Sequence, residues 1–384
     1  GGTAVYMEAR SLHTEVVERQ NEQGETINVT VPIPATVEYR FLPLELAGTD
    51  QEVGSVPVEI VASDALTITV LGEGHVDLPR ITFGALGDSF LQINGTHFRS
   101  SADVFSVETE AAETNRIVNY TRMGDILNIQ AGSVDRIFAA GNLGLSERFV
   151  SQAGRRLNPD TAIFAPPAVE YISEDNLRHF SGIVSSGDVR SMVANGSIGD
   201  AYVAGDIQRV QANADGPVQG RAFTFRNMRF DDQAMNGIAG VLYAGGDIDH
   251  VNPGTGLFGG SGGVPVGAVI ATGEIGRFTA VNSMIHGPVM SESGITQITA
   301  INTPMEEATI GAGAHLSDWA HWDNVRSTTN GVRLDRMFMF GGASGMDSSM
   351  VQVGVLGQLL VGPQADGVVD TDIWAIGDNQ TEEG

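Results

Sequence analysis

The chain has 384 residues, 47 acidic against 21 basic, a formal net charge of −26 and a sequence pI near 4.5. All of the basic residues are arginine and there is no cysteine. These facts remove lysine Schiff bases, lysine general bases, P-loop lysines and isopeptide staples, along with disulfides, thiolate metal sites and cysteine nucleophiles. Such acidity makes a nucleic-acid backbone or an anionic membrane an unfavourable partner.

The chain opens Gly1-Gly2-Thr3-Ala4, without a basic and apolar leader, which is the expectation for a mature chain processed after export to the cell surface or beyond, with a fragment of a longer protein as the alternative reading. No apolar run approaches the ~18 residues needed to span a bilayer, so membrane insertion is not expected. Residues 1–74 alternate strictly: Ile27–Val31, Thr36–Phe41 and Leu66–Val70 each place one residue type on either face, as a half-buried antiparallel sheet requires. Asn21–Glu25 reads as a hairpin turn, and the segment as a small β-meander or sandwich. Residues 75–123 are expected to form irregular first coils.

From Gly124 to Ala300 one phrase keeps restarting: a glycine, often an acid, an aliphatic, two variable residues, another aliphatic and usually an alanine. It is read in Gly124-Asp125-Ile126, Gly187-Asp188-Val189, Gly205-Asp206-Ile207-Gln208-Arg209-Val210-Gln211-Ala212, Gly246-Asp247-Ile248, Gly273-Glu274-Ile275 and Gly294-Ile295. Half-copies such as Gly196-Ser197-Ile198 lie between, so that Val189, Ile198 and Ile207 fall at equal intervals. Two or three such strands would close a coil of roughly 18–22 residues, the period of a solenoid. A strand this short cannot bury an apolar face alone, but stacked coils join their Ile and Val side chains into continuous inward ladders. Glycine is expected at the turn because it permits positive φ, and the following Asp because its carboxylate can bond backbone N–H groups. Leu145–Pro167 and Gly216–Asn236 interrupt the phrase and are expected to bulge out as loops or a short helix. The shaft is drawn over 75–315, and 316–384 is read as a C-terminal cap and tail, carrying Trp319, Trp322 and Trp374 to cover the open end.

The Gly-[Asp/Glu]-[Ile/Val]-x-x-[Ile/Val/Phe] phrase resembles that of the right-handed parallel β-helix proteins, a broad family that includes pectin lyases, polygalacturonases, phage tailspikes, adhesins and surface-fibre proteins. The resemblance is one of architecture and covers about half the chain. It implies an all-β fold, a parallel β-helix or β-solenoid, and no single function. Polygalacturonase-like members carry Asn-Thr-Asp, Asp-Asp, Gly-His-Gly and Arg-Ile-Lys; here Asn302-Thr303-Pro304 and Asp231-Asp232 are partial matches, and there is no Gly-His-Gly or lysine. Pectate-lyase-like members hold calcium with acids beside an Arg or Lys base, so Arg226, Arg229, Asp231 and Asp232 are the candidate catalytic or calcium-binding set, with a solvated loop as the alternative reading. His315, Asp318 and His321 form a second candidate metal set, within an aromatic segment that also reads as a buried cap. No other cofactor is expected. Five Asn-x-Ser/Thr sequons, at Asn28, Asn94, Asn119, Asn195 and Asn379, are compatible with a surface location.

Repeats without a catalytic motif favour a non-enzymatic extracellular structural protein, the subunit of a surface fibre, surface layer or adhesin, whose partners are copies of itself and surface glycans. The alternative is a carbohydrate-active β-helix, either a polysaccharide lyase or a tailspike-like depolymerase.

Overall fold

The computed structural model describes residues 14–20, 26–32, 36–41, 59–62, 65–70, 74–84, 89–144, 182–212, 237–238, 240–254, 256–257, 268–285, 287–306, 308–313, 332–342 and 344–375. The described residues are all strand and turn, with no helix. Thr14–Gln20 and Thr26–Pro32 pair antiparallel as a separate two-stranded sheet. Two twelve-stranded sheets run through the rest: sheet I from Glu59–Ala62 to Asp372–Ala375, sheet II from Thr36–Phe41 to Val355–Val361. A five-stranded sheet III runs from Gly256–Leu257 to Gly367–Val369. Neighbouring strands within these three sheets are parallel. The chain alternates between sheets I and II and, from Gly256, visits all three in turn, an order consistent with a β-helix or solenoid-like architecture.

Two inward ladders show why the phrase has two aliphatics. The first aliphatic stacks as Val134, Val189, Ile207, Ile248, Ile275, Ile295 and Leu334, and the second as Ile137, Met192, Val210, Val251, Phe278, Ile298 and Met337, in the register of sheet II. All are at most 1 % exposed. Sheet I contributes a facing ladder through Ile129, Ile183, Ala201, Leu242, Val269, Val289 and Ile310. Each strand borrows its apolar neighbours from the strands above and below, so truncating a Leu, Ile or Met of these ladders to Ala leaves a cavity costing about 2–5 kcal/mol.

The Gly-Asp pair that precedes the first aliphatic completes the backbone hydrogen bonding of the corner. Gly205 N–H donates to Gly187 O at 3.2 Å, Gly246 N–H to Gly205 O at 3.1 Å, and Gly273 N–H to Gly246 O at 2.9 Å. One residue on, the next donors are taken by side chains: Asp206 N–H donates to Asp188 Oδ1 at 2.9 Å, Asp247 N–H to Asp206 Oδ1 at 2.8 Å, and Glu274 N–H to Asp247 Oδ1 at 2.7 Å. A carboxylate from one strand thus replaces the carbonyl that a tightly turning backbone cannot present, and the Asp206, Asp247 and Glu274 N–H groups are paired. The glycines make room for it. A Cβ on Gly205, Gly246 or Gly273 would lie 2.0 Å from that carboxylate oxygen, and none of the three has a positive φ. Close approach, and not the left-handed conformation expected from the sequence, is what selects glycine here.

A second corner uses the same device. Gly124-Asp125-Ile126, Gly141-Asn142-Leu143 and Gly196-Ser197-Ile198 stack in parallel bridges, and their aliphatics continue to Ile238. Asn142 N–H donates to Asp125 Oδ1 at 2.7 Å and Ser197 N–H to Asn142 Oδ1 at 2.8 Å. The evenly spaced Val189, Ile198 and Ile207 therefore belong to two different corners.

The parallel sheets extend past both expected boundaries. Thr36–Phe41, Glu59–Ala62 and Ala65–Val70, assigned from sequence to an antiparallel meander over 1–74, pair in parallel with strands of sheets I and II because their alternation also fits a parallel strand with one outward face. The expected cap region 316–384 likewise contributes Arg333–Phe340, Met350–Val353 and Val355–Val361 to the same sheets. Asn21–Glu25, Leu145–Pro167, Gly216–Asn236, Trp319 and Trp322 lie outside the described residues.

Gly205→Ala is expected to cost under about 1 kcal/mol, because only the Asp188 carboxylate must swing away and the stiffer unfolded chain offsets part of the lost bond. Gly273→Ala is expected to cost about 1–3 kcal/mol more, since its Cβ also meets Gly246 C at 2.6 Å and Asp247 N at 2.7 Å. Asp188→Asn, which keeps an acceptor, should lie within about 0.5 kcal/mol of the parent. Urea unfolding of the three variants checks the order, and equal losses at Gly205 and Gly273 would contradict it.

Candidate functional site

The two variable residues of the phrase point away from the core. Parallel register stacks the second of them into one column on the outer face of sheet II: Arg116, Arg136, Ser191, Arg209, His250, Arg277, Gln297, Arg336 and Gln358. From Arg136 onward the column alternates without exception between a guanidinium and a neutral hydrogen-bonding side chain. The first variable residue forms the adjacent column, with Asp135, Arg190, Asp249, Gly276, Thr296 and Asp335. Gly276 and its neighbours leave a shallow depression of about 390 Å³ lined by Asp249, His250, Arg277, Thr296, Gln297 and Arg336.

The electrostatics of this column are unlike those of the chain as a whole. Arg190, one position off it, and Arg333, which precedes the first aliphatic of its strand, are paired with Asp135 at 3.1 Å and Asp335 at 2.8 Å. Among the described residues no carboxylate pairs with Arg116, Arg136, Arg209, Arg277 or Arg336. Their contacts are with neutral groups: Arg116 lies over the Phe90 ring at 4.7 Å, Arg136 over Phe138 at 5.7 Å, and Arg209 donates to Gln211. Gln297 Nε2 donates to Thr299 Oγ1 at 2.8 Å. Burial holds the half-buried His250 imidazole below its ordinary range, and the flanking guanidinium groups of Arg277 and Arg209 push it further down. His250 is thus a neutral donor and acceptor between two cations near neutral pH. On sheet I, Tyr202 and Tyr243 stack at 4.9 Å with planes 2° apart. Burial, Tyr202 and Glu292 raise the Tyr243 hydroxyl to about 12.

The residues singled out in the sequence fare differently. Arg226, Arg229, Asp231 and Asp232 lie outside the described residues, as do His315, Asp318 and His321. Among the described residues no three His, Asp or Glu side chains stand close enough to hold a metal ion. Asn302, half of the partial polygalacturonase match, is a turn residue with φ 48°, and its Nδ2 donates to Asn282 Oδ1 at 3.0 Å. Asn119, one of the sequons, is fully buried; its Nδ2 donates to Ala102 O at 2.8 Å and its Oδ1 accepts from Thr121, so it is a structural residue and no glycan acceptor. The arginine column is not visible in the phrase itself, in which its positions are variable. Its signal was present in Asp135-Arg136-Ile137, Gln208-Arg209-Val210, Gly276-Arg277-Phe278 and Asp335-Arg336-Met337, where Arg precedes the second aliphatic each time.

Compared with known protein families, curated proteins and solved structures, the chain matches none.

Replacing Arg277 by Gln removes one of the two cations that disfavour His250 protonation, so the His250 titration followed by NMR is expected to move up. The native value lies below that of the unfolded chain, so stability carried by neutral His250 is complete above the unfolded value of about 6.5 and declines as pH falls through the window beneath it. Arg277→Gln should narrow that window; an unmoved or lowered titration would contradict the assigned cause.

Proposed function

We propose that the chain is a parallel β-helix shaft that serves as a non-enzymatic structural subunit of an extracellular surface assembly, joined to its copies end to end. The supporting observation is the state of the C-terminal end. Among the described residues all three parallel sheets finish there in strand edges, and these carry apolar side chains in the open: Leu360 is 42 % exposed on Val355–Val361, Val369 53 % on Gly367–Val369 and Trp374 61 % on Asp372–Ala375. A parallel edge with unpaired backbone groups and exposed Val, Leu and Trp is a template for another strand. At the opposite edge of sheet I, Val61 is 67 % exposed on Glu59–Ala62, which supplies a complementary apolar edge strand. Pairing of these two unlike ends is heterologous, and a heterologous contact that does not close makes a filament.

The cysteine-free composition is compatible with an extracellular location because the stacked strands supply the stability that disulfides otherwise give there. A strong negative charge keeps the sides of such rods apart while their ends meet.

Trp374→Lys with Leu360→Lys places one cation on the edge strand of each twelve-stranded sheet, where inward or edge lysines block strand addition. Electron microscopy of the parent chain is expected to show filaments or sheets, and the double variant dispersed rods with an unchanged far-ultraviolet spectrum. Dispersed single rods from the parent at both moderate and high salt would overturn the reading.

A further inference from the structure

We propose that the outer face of sheet II is a linear binding site for an acidic polysaccharide that carries one anionic group on every second sugar. The column from Arg136 to Gln358 spans eight successive parallel strands, with arginine on the first, third, fifth and seventh and Ser191, His250, Gln297 and Gln358 between them. Neighbouring strands lie about 4.8 Å apart, so consecutive guanidinium groups repeat at about 9.6 Å. That repeat is close to the length of two linked pyranose rings. A straight, regular column of this kind fits a straight, regular polymer laid across the strands, with a charge-assisted bond at each arginine and neutral hydrogen bonds to the uncharged sugars between.

Three observations narrow the ligand. The four arginines of this column, Arg136, Arg209, Arg277 and Arg336, have no carboxylate partner among the described residues, in a chain with more than twice as many acids as bases. Unneutralised cations kept on one face, while Arg190 and Arg333 beside them are paired, fit a ligand that supplies the anions. Second, the charge density is too low for nucleic acid, which offers a phosphate roughly every 3.4 Å along each strand of a duplex. Third, the chain's own regular carboxylate column, Asp188, Asp206 and Asp247, has an acid on every strand and is committed to backbone N–H groups, so a second copy does not reproduce the two-strand repeat. The net charge of −26 opposes any polyanion at long range, but at physiological ionic strength fields decay over about 8 Å. A bound anion therefore responds to its own arginine and to the acids of the adjacent column, Asp135, Asp249 and Asp335, more than to the molecule as a whole.

The proposal does not depend on end-to-end assembly, and its test keeps the two apart. Hyaluronate fragments, with one carboxylate per disaccharide, are titrated into the full chain by calorimetry at 50 to 300 mM salt, with polygalacturonate, one carboxylate per sugar, and neutral dextran alongside. Hyaluronate is expected to bind with an affinity that rises with length until eight sugars are reached, more tightly than polygalacturonate, with dextran silent. The triple variant Arg209→Gln, Arg277→Gln, Arg336→Gln should lose at least tenfold in affinity and about one unit of salt slope per arginine, with an unchanged unfolding midpoint. Absence of hyaluronate binding, or binding unaltered in the triple variant, overturns the proposal. So does loss of self-association in that variant without loss of hyaluronate binding, which would assign the column to a second copy of the chain.

Discussion

Every part of this molecule depends on strands meeting their neighbours above and below in a parallel register that does not slip. A one-residue shift would carry the inward Ile and Val ladders to the outer face and bring Arg136 or Arg277 into the core. Main-chain ladders alone do not hold such short strands, because the corners between sheets leave N–H groups that no neighbouring carbonyl reaches. The Asp188, Asp206 and Asp247 carboxylates, and Asp125 and Asn142 at the second corner, reach the next strand's N–H and close that gap. The glycine of the next strand's phrase is the empty space into which each of these side-chain oxygens fits. Sequence, hydrogen bonding and packing meet at that pair of residues.

The repeat and its strand character were legible from residue order, because a glycine, an acid and two aliphatics at fixed spacing have few other physical uses. What the phrase concealed was that two corners use it. Gly124-Asp125-Ile126 and Gly205-Asp206-Ile207 look like copies, yet they sit on different edges of the molecule, and only pairing partners separate them. The ends were misread for a related reason. Strict alternation, as in Ala65–Val70, fits a strand with one covered face in either direction of pairing, and local sequence carries no mark of which neighbour it will take. The arginine column was hidden because charged residues in the outward positions of one strand look like ordinary solvated surface; stacking the strands in register is what turns them into a line.

The proposed assembly and the proposed glycan site rest on a contrast between the ends and the sides of the stacked sheets. The C-terminal edges expose Val369 and Trp374, side chains that gain by being covered, whereas one flank presents cations at a two-strand interval on an otherwise acidic chain. Assembly through the ends leaves the flank open, and successive subunits joined in line would extend its column. A rod that both polymerises and holds an acidic glycan along its side would tie a surface layer to the polysaccharide around it.

The stacking register is tested most directly with paired cysteines, which this cysteine-free chain allows without background. Gln211 and Asn252 face outward as register partners on neighbouring strands of sheet II, with Cα atoms about 4.8 Å apart, inside the range a disulfide spans. Under mild oxidation Gln211→Cys/Asn252→Cys should form an intramolecular disulfide in nearly all molecules. Gln211→Cys/His250→Cys, a diagonal pair about 8 Å apart, should form little. Preferential closure of the diagonal pair, or disulfides only between molecules, would contradict the parallel register on which the core, the corners and the arginine column all rest.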